Sequence, residues 1–528
     1  MSGRFERHAR TVTGLTFASR VAGLARDAVL SRVFGAGAAM DAFAFGFMVP
    51  NLFRRLFGEG ALTASFLPAY TRLVDGDPAA ARRLATLVVG GAGAILAGLV
   101  LLGEALAWGL SASGAVEPLP ARLLMVMLPY APLICATALL GAMLQARHRF
   151  GPTAAAPILL NLAVVGGALL APELATPGSW SPDRGIPIVA GAVLVAGGAQ
   201  VIWSWWALRR ASIGEVAPRN DRSDAAARRE ARGVVRRALP MVVGLGVLQL
   251  NTLLDGLIAS WPTAVGPTIL GIDYPLGTGS MATLAWAQRL YEFPLGVFGI
   301  AVATAIFPAL ARLAGDPADF AATLRRGVRL VLFIGLPASA GLVLVAEPLV
   351  AVVLEGRAFT GEDTTATARI LVAYGTAVWA YSLNQVLVRG CYARGDTRSP
   401  VRIGISLVGL NATLNLLLIW TPLGVAGLAA STAICAALQP VLLLRALRRE
   451  GVGGLVDRGV VTAAWRSAVL TAAMAVVVAT VRAALPDPQS WWGAVVVLSA
   501  CVAAGGAVVA AGAVAWRMPE LRWALGRS

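Results

Sequence analysis

Two neighbouring segments decide how this chain is interpreted: GLTFASRVAGLARDAVLSRVF at residues 14–34 and MDAFAFGFMVPNLFRRLFGEG at residues 40–60. Both segments are apolar enough to be helices in lipid, yet they carry several ionised side chains. A charge at the middle of a bilayer costs roughly 2.5–3.5 kcal/mol even on the insertion scale of the translocon. The charges therefore predict a polar path beside these helices. They include Arg20, Arg26, Asp27, Asp41, Arg54, Arg55 and Glu59.

The composition extends this membrane interpretation to the whole chain. Of the 528 residues, 57% are hydrophobic and 14% are charged, and the mean hydropathy is +0.73. Soluble domains carry roughly a quarter charged residues. Apolar runs of about 20 residues, which suffice to span a bilayer, predict an all-α polytopic membrane protein with about 14 transmembrane helices. The runs lie at 12–34, 40–57, 84–110, 121–146, 153–172, 186–208, 236–260, 280–310, 325–346, 365–391, 400–420, 423–446, 460–482 and 490–515.

The arginines predict how the spans are oriented. They concentrate before the first span and after the even-numbered spans, most densely at 209–237, whereas the intervening loops are poor in arginine. Short loops rich in Lys and Arg stay on the cytoplasmic side. We therefore expect both termini in the cytoplasm. The net charge of +16 has the same explanation, and we expect no nucleic-acid partner.

An internal repeat predicts two lobes in parallel orientation. The stretch FLPAYTRL at 66–73 recurs as IFPALARL at 306–313, each time at the cytoplasmic exit of an even-numbered span. Parallel repeats are a transporter architecture, with the substrate site between the halves. The predicted organisation is an N-lobe at 1–215 with six helices, a basic cytoplasmic linker at 216–235, a C-lobe at 236–450 with six helices, and two further helices with a cytoplasmic C-terminus at 451–528.

Helical geometry at about 100° per residue sorts the embedded charges. Arg55 and Glu59 are four residues apart and can pair, as can Arg289 and Glu292 at a spacing of three. Arg26 has only its sequence neighbour Asp27, which is expected to face elsewhere. Across the set, arginines outnumber carboxylates. Such a surplus suits an anion, above all a phosphate or diphosphate that a guanidinium grips with two hydrogen bonds. The alternative is a network of ion pairs between helices.

The chain lacks the residues that several other functional classes require. The chain has four cysteines and two histidines, none at metal-ligand spacing, so no zinc, haem or disulfide framework is expected. A phosphate-binding Gly-x-x-x-x-Gly-Lys loop is missing, which argues against an ATP-driven pump. A membrane glycosyltransferase or acyltransferase would need an acid or His-containing motif at the interface, and none is found. We expect no enzyme and no cofactor.

The charged motifs resemble a known family. The stretches SRVAGLARD at 19–27 and PNLFRRLFGEGA at 50–61 are similar to the signature of the MurJ (MviN) family. These are lipid II flippases of the multidrug/oligosaccharidyl-lipid/polysaccharide (MOP) exporter superfamily. The resemblance continues through RLYEFPLG at 289–296, YARGDT at 392–397 and GVAGL at 424–428.

The resemblance implies a fold, a substrate and a location. The expected protein has fourteen helices in the bacterial inner membrane, with two lobes around a central cationic cavity. It would carry the undecaprenyl-diphosphate-linked peptidoglycan precursor from the cytoplasmic to the periplasmic leaflet by alternating access. The expected partners are lipid II, membrane lipids and the cell-wall synthesis machinery, and we expect a monomer. Two alternatives are a flippase for another polyprenyl-diphosphate-linked glycan and a drug/cation antiporter of the same superfamily.

The resemblance also assigns roles to single residues. It places Arg20, Arg26, Arg54 and Arg289 on the arginines of the cavity, Asp41 on the essential acid at the start of the second helix, and Glu59 on the acid after the double arginine. Glu292 is the acid beside Arg289, and both are expected to take part in closing the cavity.

Coupling to an ion is a further expectation. Asn411 and Asn415 are four residues apart on one predicted helix, and Asp255 is an isolated acid in the seventh span. Their oxygens would form a site for sodium if the helices pack together. Family members proposed to bind sodium carry an acid where this chain has Asn415. The alternatives are hydrogen bonding between helices and coupling to the membrane potential alone.

Overall fold

The computed structural model describes residues 2–58, 60–174, 179–211, 221–488 and 490–525. In these residues the chain is built from α-helices, with one short hairpin, β1 (Thr268–Ile269) and β2 (Ile272–Asp273), whose strands pair antiparallel. The first helices are α1 (Ser2–Phe34), α2 (Ala38–Phe53), α3 (Ala61–Gly76), α4 (Pro78–Ala112), α5 (Pro118–Met127), α6 (Tyr130–Ala146), α7 (Gly151–Glu173), α8 (Pro182–Ala211) and α9 (Asp221–Ala264).

After the hairpin the chain continues as helices to its end. They are α10 (Ser280–Pro294), α11 (Ile300–Arg312), α12 (Pro317–Leu344), α13 (Ala346–Leu354), α14 (Gly361–Gly375), α15 (Val378–Ala393), α16 (Arg398–Leu418), α17 (Ala426–Arg449), α18 (Arg458–Ala484), α19 (Trp491–Ala515) and α20 (Pro519–Ala524).

The helices confirm an all-α polytopic membrane protein. Within the described ranges, nine helical stretches are long and apolar enough to cross a bilayer. The predicted number of 14 spans stays a prediction. The nine are Pro78–Ala112, Pro118–Ala146, Gly151–Glu173, Pro182–Ala211, Pro317–Leu344, Arg398–Leu418, Ala426–Arg449, Arg458–Ala484 and Trp491–Ala515.

Helix boundaries depart from the hydropathy pattern in several places; the predicted span 121–146, for example, is divided between α5, which ends at Met127, and α6, which begins at Tyr130. The predicted span 365–391 is two helices, since α14 ends at Gly375 and α15 begins at Val378. Hydropathy does not register this break because the residues around it are themselves apolar. At the predicted basic linker, residues 221–235 are helical and continue directly into the following apolar segment as α9. A charged helix of this kind extends a span beyond its apolar part.

Two π-helical turns mark equivalent places in the repeat. Residues Arg54–Gly58 connect α2 to α3, and residues Leu295–Gly299 connect α10 to α11. Their separation is nearly that of the repeated FLPAYTRL-type motif, which follows each turn in the chain. Single π turns inside helices are rare and recur at functional sites. The repeat therefore includes a π-helical turn that the sequence motif does not predict.

The chain divides into two compact units. Unit 1 contains residues Met1–Ala282 and Gly356–Phe359, and unit 2 contains Thr283–Glu355 and Thr360–Ser528. In unit 1, Phe66, Leu84 and Leu139 belong to a core formed by α3, α4, α6 and α9. In unit 2, Phe320 and Leu387 belong to a core formed by α11, α12, α15 and α17. The lobe limits drawn from the sequence stay a prediction.

Candidate functional site

Arg26 is held by two neighbours inside unit 1. Its Nε and Nη2 donate to Asp27 Oδ1 at 3.0 and 2.9 Å, and its Nη1 donates to Asn161 Oδ1 at 3.0 Å. The prediction that Asp27 faces away from Arg26 was wrong. The arginine side chain is long enough to turn back along α1 and reach its neighbour's carboxylate.

The Asn161 side chain fixes the position of this arginine from α7. While its Oδ1 accepts from Arg26, its Nδ2 donates to the Ser19 carbonyl oxygen at 3.2 Å. Asn161 and Asp27 are both buried, whereas 15% of the Arg26 side chain stays exposed. Three of the five guanidinium N–H groups are thus used, and within the described residues the other two have no acceptor. Those two N–H groups can bind an anion.

The double arginine lies on the π-helical turn at 54–58. Arg54 donates from Nε and Nη2 to Asn51 Oδ1 at 3.0 and 2.9 Å, and Arg55 donates from Nη1 to Gln249 Oε1 at 3.2 Å. Amide oxygens orient a guanidinium without cancelling its charge. Glu59, the predicted partner of Arg55, lies outside the described residues.

Asp41 is fully buried at the start of α2 and binds the start of α10 within unit 1. Its Oδ2 accepts from the Gly279 N–H at 2.6 Å and from Thr263 Oγ1 at 2.8 Å, and its Oδ1 accepts from the Ala282 N–H at 2.8 Å. The first N–H groups of a helix have no partner within the helix. The helix dipole also stabilises a negative charge at this end. Asp41 therefore caps α10 from a different helix.

The remaining predicted arginine of unit 1 has a different environment. Arg20 is exposed on α1, six residues before Arg26. It stays a candidate substrate ligand by sequence.

In unit 2, Arg289 and Glu292 lie on α10 on either side of a buried tyrosine. Arg289 is half-buried and Glu292 is exposed, and both take part in polar interactions. Between them Tyr291 stacks on Tyr374 and on Tyr381, with ring centroids 4.4 and 5.2 Å apart. This aromatic cluster anchors α10 to α14 and α15. Nothing in the linear sequence brings the three tyrosines together.

The predicted cation ligands fall in separate units. Asp255 is buried in unit 1, while Asn411 and Asn415 are buried in unit 2. Asn415 Nδ2 donates to Asn411 Oδ1 at 3.0 Å, and Ser431 Oγ donates to Asn415 Oδ1. Asn411 Nδ2 in turn donates to Ser431 Oγ at 3.1 Å. The amide oxygens of Asn411 and Asn415 thus both accept hydrogen bonds from protein groups. This arrangement agrees with the alternative of hydrogen bonding between helices. A sodium site at these residues stays a prediction.

Clusters of three or more His, Cys, Asp or Glu side chains that could hold a metal ion do not occur in the part of the chain that the structure describes.

The amide partners of the arginines were missed from the sequence. Asn161, Asn51 and Gln249 each place a neutral oxygen on one of these guanidinium groups. A signal did exist, since amide side chains in apolar spans usually hydrogen-bond between helices. The sequence does not say which arginine each amide meets.

Comparisons with known proteins agree with one another. Residues 30–493 match the family model described as lipid II flippase MurJ. The chain is 34% identical over 506 residues to a probable lipid II flippase MurJ of Vibrio cholerae, covering 91% of this chain and 90% of that protein.

Solved structures show the same fold. A lipid II flippase MurJ in an inward closed conformation superposes with a TM-score of 0.74 at 21% identity, over 96% of this chain and 98% of that one. A multidrug resistance MATE family transporter of the MOP superfamily, in an inward-facing conformation, gives 0.62 at 13% identity, over 84% and 98%. The predicted MOP exporter fold is confirmed.

Proposed function

Because this chain belongs to the lipid II flippase MurJ family, we propose that it moves lipid II, the undecaprenyl-diphosphate-linked disaccharide-pentapeptide, across the bacterial inner membrane. The direction is from the cytoplasmic to the periplasmic leaflet. The observation that carries this proposal is the guanidinium of Arg26, held between α1 and α7 with two N–H groups left for an anion.

The anion is the diphosphate of the precursor. A guanidinium fork matches two phosphate oxygens at once, and a fork already fixed by Asp27 and Asn161 loses little rotamer freedom when the anion arrives. Arg54 is oriented in the same manner by Asn51. Arg20 and Arg289 complete the proposed set of substrate arginines. The polyprenyl tail stays in lipid while the headgroup crosses.

Transport proceeds by alternating access in this proposal. The cavity binds the headgroup from the cytoplasm, and ion pairs that involve Asp41, Glu59, Arg289 and Glu292 break and re-form as access changes sides. Both termini are cytoplasmic, as the arginine distribution favours.

The membrane potential supports the cycle. An inward-negative potential favours an outward-moving anion and then the return of an unloaded cationic cavity. Sodium coupling is the rival, with Asp255, Asn411 and Asn415 as ligands. Exchange of sodium for potassium at constant potential should leave the transport rate unchanged, because protein donors already occupy the amide oxygens. Loss of transport without sodium would favour the rival.

Complementation tests the substrate directly. Bacteria depleted of their own lipid II flippase receive the wild-type chain, Arg26→Ala or Arg149→Ala, and delivery of labelled precursor to the periplasmic face is followed. Arg149 is an exposed arginine in the loop after α6 and serves as a charge-matched control. The wild type and Arg149→Ala should rescue delivery, while Arg26→Ala should not.

Other outcomes have definite meanings. Rescue by Arg26→Ala would keep the flippase assignment and discard the role of this arginine. Failure of an expressed and inserted wild type would favour another polyprenyl-diphosphate-linked glycan as the substrate.

A further inference from the structure

A cationic pocket of about 250 Å³ lies in unit 2 between α12, α18 and α20. The side chains of Arg329, Arg458 and Arg466 line it, together with Thr462 and Glu520. Three arginines thus line one small space together with a single acidic residue.

One wall of the pocket is fixed by a buried ion pair. Arg329 donates from Nε and Nη2 to Glu520 Oε1 at 2.7 and 2.6 Å, and Glu520 is 1% exposed. The guanidinium of Arg329 also lies 5.0 Å from the ring centroid of Trp523. These contacts attach the short helix α20 to α12. The only carboxylate of the lining is therefore already bound to Arg329.

The opposite wall is a stripe on α18. Arg458, Thr462 and Arg466 are spaced by four residues and so share one helix face. Both arginines are exposed, and within the described residues neither guanidinium has a hydrogen bond or an ion pair. The positive-inside tendency explains arginines at this end of a span. It does not explain why Arg458 and Arg466 line the same cavity as Arg329.

Apolar side chains flank the stripe on the same helix. Val461 and Trp465 are 55% and 69% exposed, and α18 is one of the apolar spans. Tryptophan is enriched where a helix leaves the hydrocarbon for the headgroup layer. Cationic and lipid-facing groups therefore lie side by side, an arrangement that a free inorganic anion would not require.

We propose that this pocket binds the phosphate headgroup of an anionic membrane lipid, with its acyl chains along Val461 and Trp465. Basic pockets between transmembrane helices are suited to such headgroups, and guanidinium groups bind phosphate oxygens with charge-assisted hydrogen bonds. The surplus of two positive charges over Glu520 accommodates a phosphodiester. The site is separate from the arginines proposed for precursor transport and stands on its own observations.

The test measures lipid-dependent stability of the full chain in an uncharged detergent. Unfolding is followed by tryptophan fluorescence with short-chain phosphatidylglycerol, short-chain phosphatidylcholine or inorganic phosphate at equal concentrations. Phosphatidylglycerol alone should raise the melting temperature of the wild type. In Arg458→Gln/Arg466→Gln the apparent Kd for phosphatidylglycerol should rise at least about tenfold, because each charge-assisted hydrogen bond contributes substantially to affinity.

Two further variants distinguish a general effect of positive charge from binding in this pocket. Arg448→Gln/Arg449→Gln removes two exposed arginines from the end of α17 and should respond like the wild type. Thr462→Phe should lose the response with no change of charge, because the ring fills the pocket. An equal phosphatidylglycerol response in the wild type and in Arg458→Gln/Arg466→Gln would overturn the proposal. A response to inorganic phosphate equal to that to phosphatidylglycerol would overturn the assignment to a lipid.

Discussion

The carboxylate of Asp41 accepts the backbone N–H of Gly279 at 2.6 Å, a contact between the first turn of α2 and the residue before α10. The same carboxylate binds the Ala282 N–H and the Thr263 hydroxyl. Asp41 is thus a structural tie within unit 1 as well as a proposed gating acid. Any functional effect of replacing it must be separated from loss of this cap.

Asp41→Asn should lower the stability of the protein by about 1.5–3 kcal/mol. The amide keeps one oxygen acceptor and places an NH₂ group against backbone N–H donors that the carboxylate satisfied. Thermal unfolding by tryptophan fluorescence measures the change. Asp273→Asn is the control, since Asp273 is exposed on the nearby hairpin and should have little effect. Equal melting temperatures for wild type and Asp41→Asn would contradict the capping role.

Gly279→Ala should be strongly destabilising. The φ angle of Gly279 is +89°, and a Cβ atom there would clash with the Ala36 carbonyl oxygen. A left-handed backbone alone costs roughly 1–2 kcal/mol for a residue with a Cβ, and the clash adds to it. Gly277→Ala is the matched control, because its Cβ would meet nothing within 4 Å. Comparable unfolding temperatures for the two variants would rule out this close approach.

Asp77 should make the stability of unit 1 depend on pH in the acid range. Its carboxylate accepts the Ala80 N–H at 2.9 Å and the Ser223 hydroxyl at 2.8 Å, which joins the starts of α4 and α9. These hydrogen bonds, the backbone one first, hold the pKa of Asp77 below its usual value of 3.8. A lowered pKa in the folded state adds stability above 3.8 that is lost as the pH falls through the folded-state pKa.

Unfolding measured between about pH 6 and pH 3 tests this linkage. The wild type should lose stability over the acid end of that range, and Asp77→Asn should lose less. Asp75→Asn, at an exposed position two residues earlier, should behave like the wild type. A wild-type slope retained in Asp77→Asn would assign the acid sensitivity to other carboxylates.

Hydropathy and charge predicted the class of fold because both are properties of single residues summed over a window. The apolar runs identified an all-helical membrane protein, and the motif around Arg26 and Arg54 identified the family. The π-helical turns at 54–58 and 295–299 could not be predicted from periodicity, because a single turn of five residues is too short to reveal a change of period.

The partners of the site residues could not be predicted from the sequence. Arg26 and Asn161 are 135 positions apart, and only the packing of α1 on α7 brings them together. For Asp41 the partners at 279 and 282 are backbone groups, so no side chain in the sequence could signal them. The assumption that Arg26 could not reach Asp27 failed because it treated a flexible side chain as fixed to its helix face.

The Arg26–Asp27 pair allows a decisive test of whether Arg26 serves the substrate or only its neighbour. Arg26→Ala removes the guanidinium that faces a buried carboxylate, which should cost about 3–5 kcal/mol of stability. Asp27→Ala leaves Arg26 attached to Asn161 and should keep part of the transport. In Arg26→Ala/Asp27→Ala the buried charge is gone, so stability should recover toward the wild type while transport stays lost, because the fork that grips the diphosphate is still missing. Unfolding temperature and precursor delivery are measured on all three variants. Recovery of delivery in the double variant would mean that Arg26 acts only by neutralising Asp27.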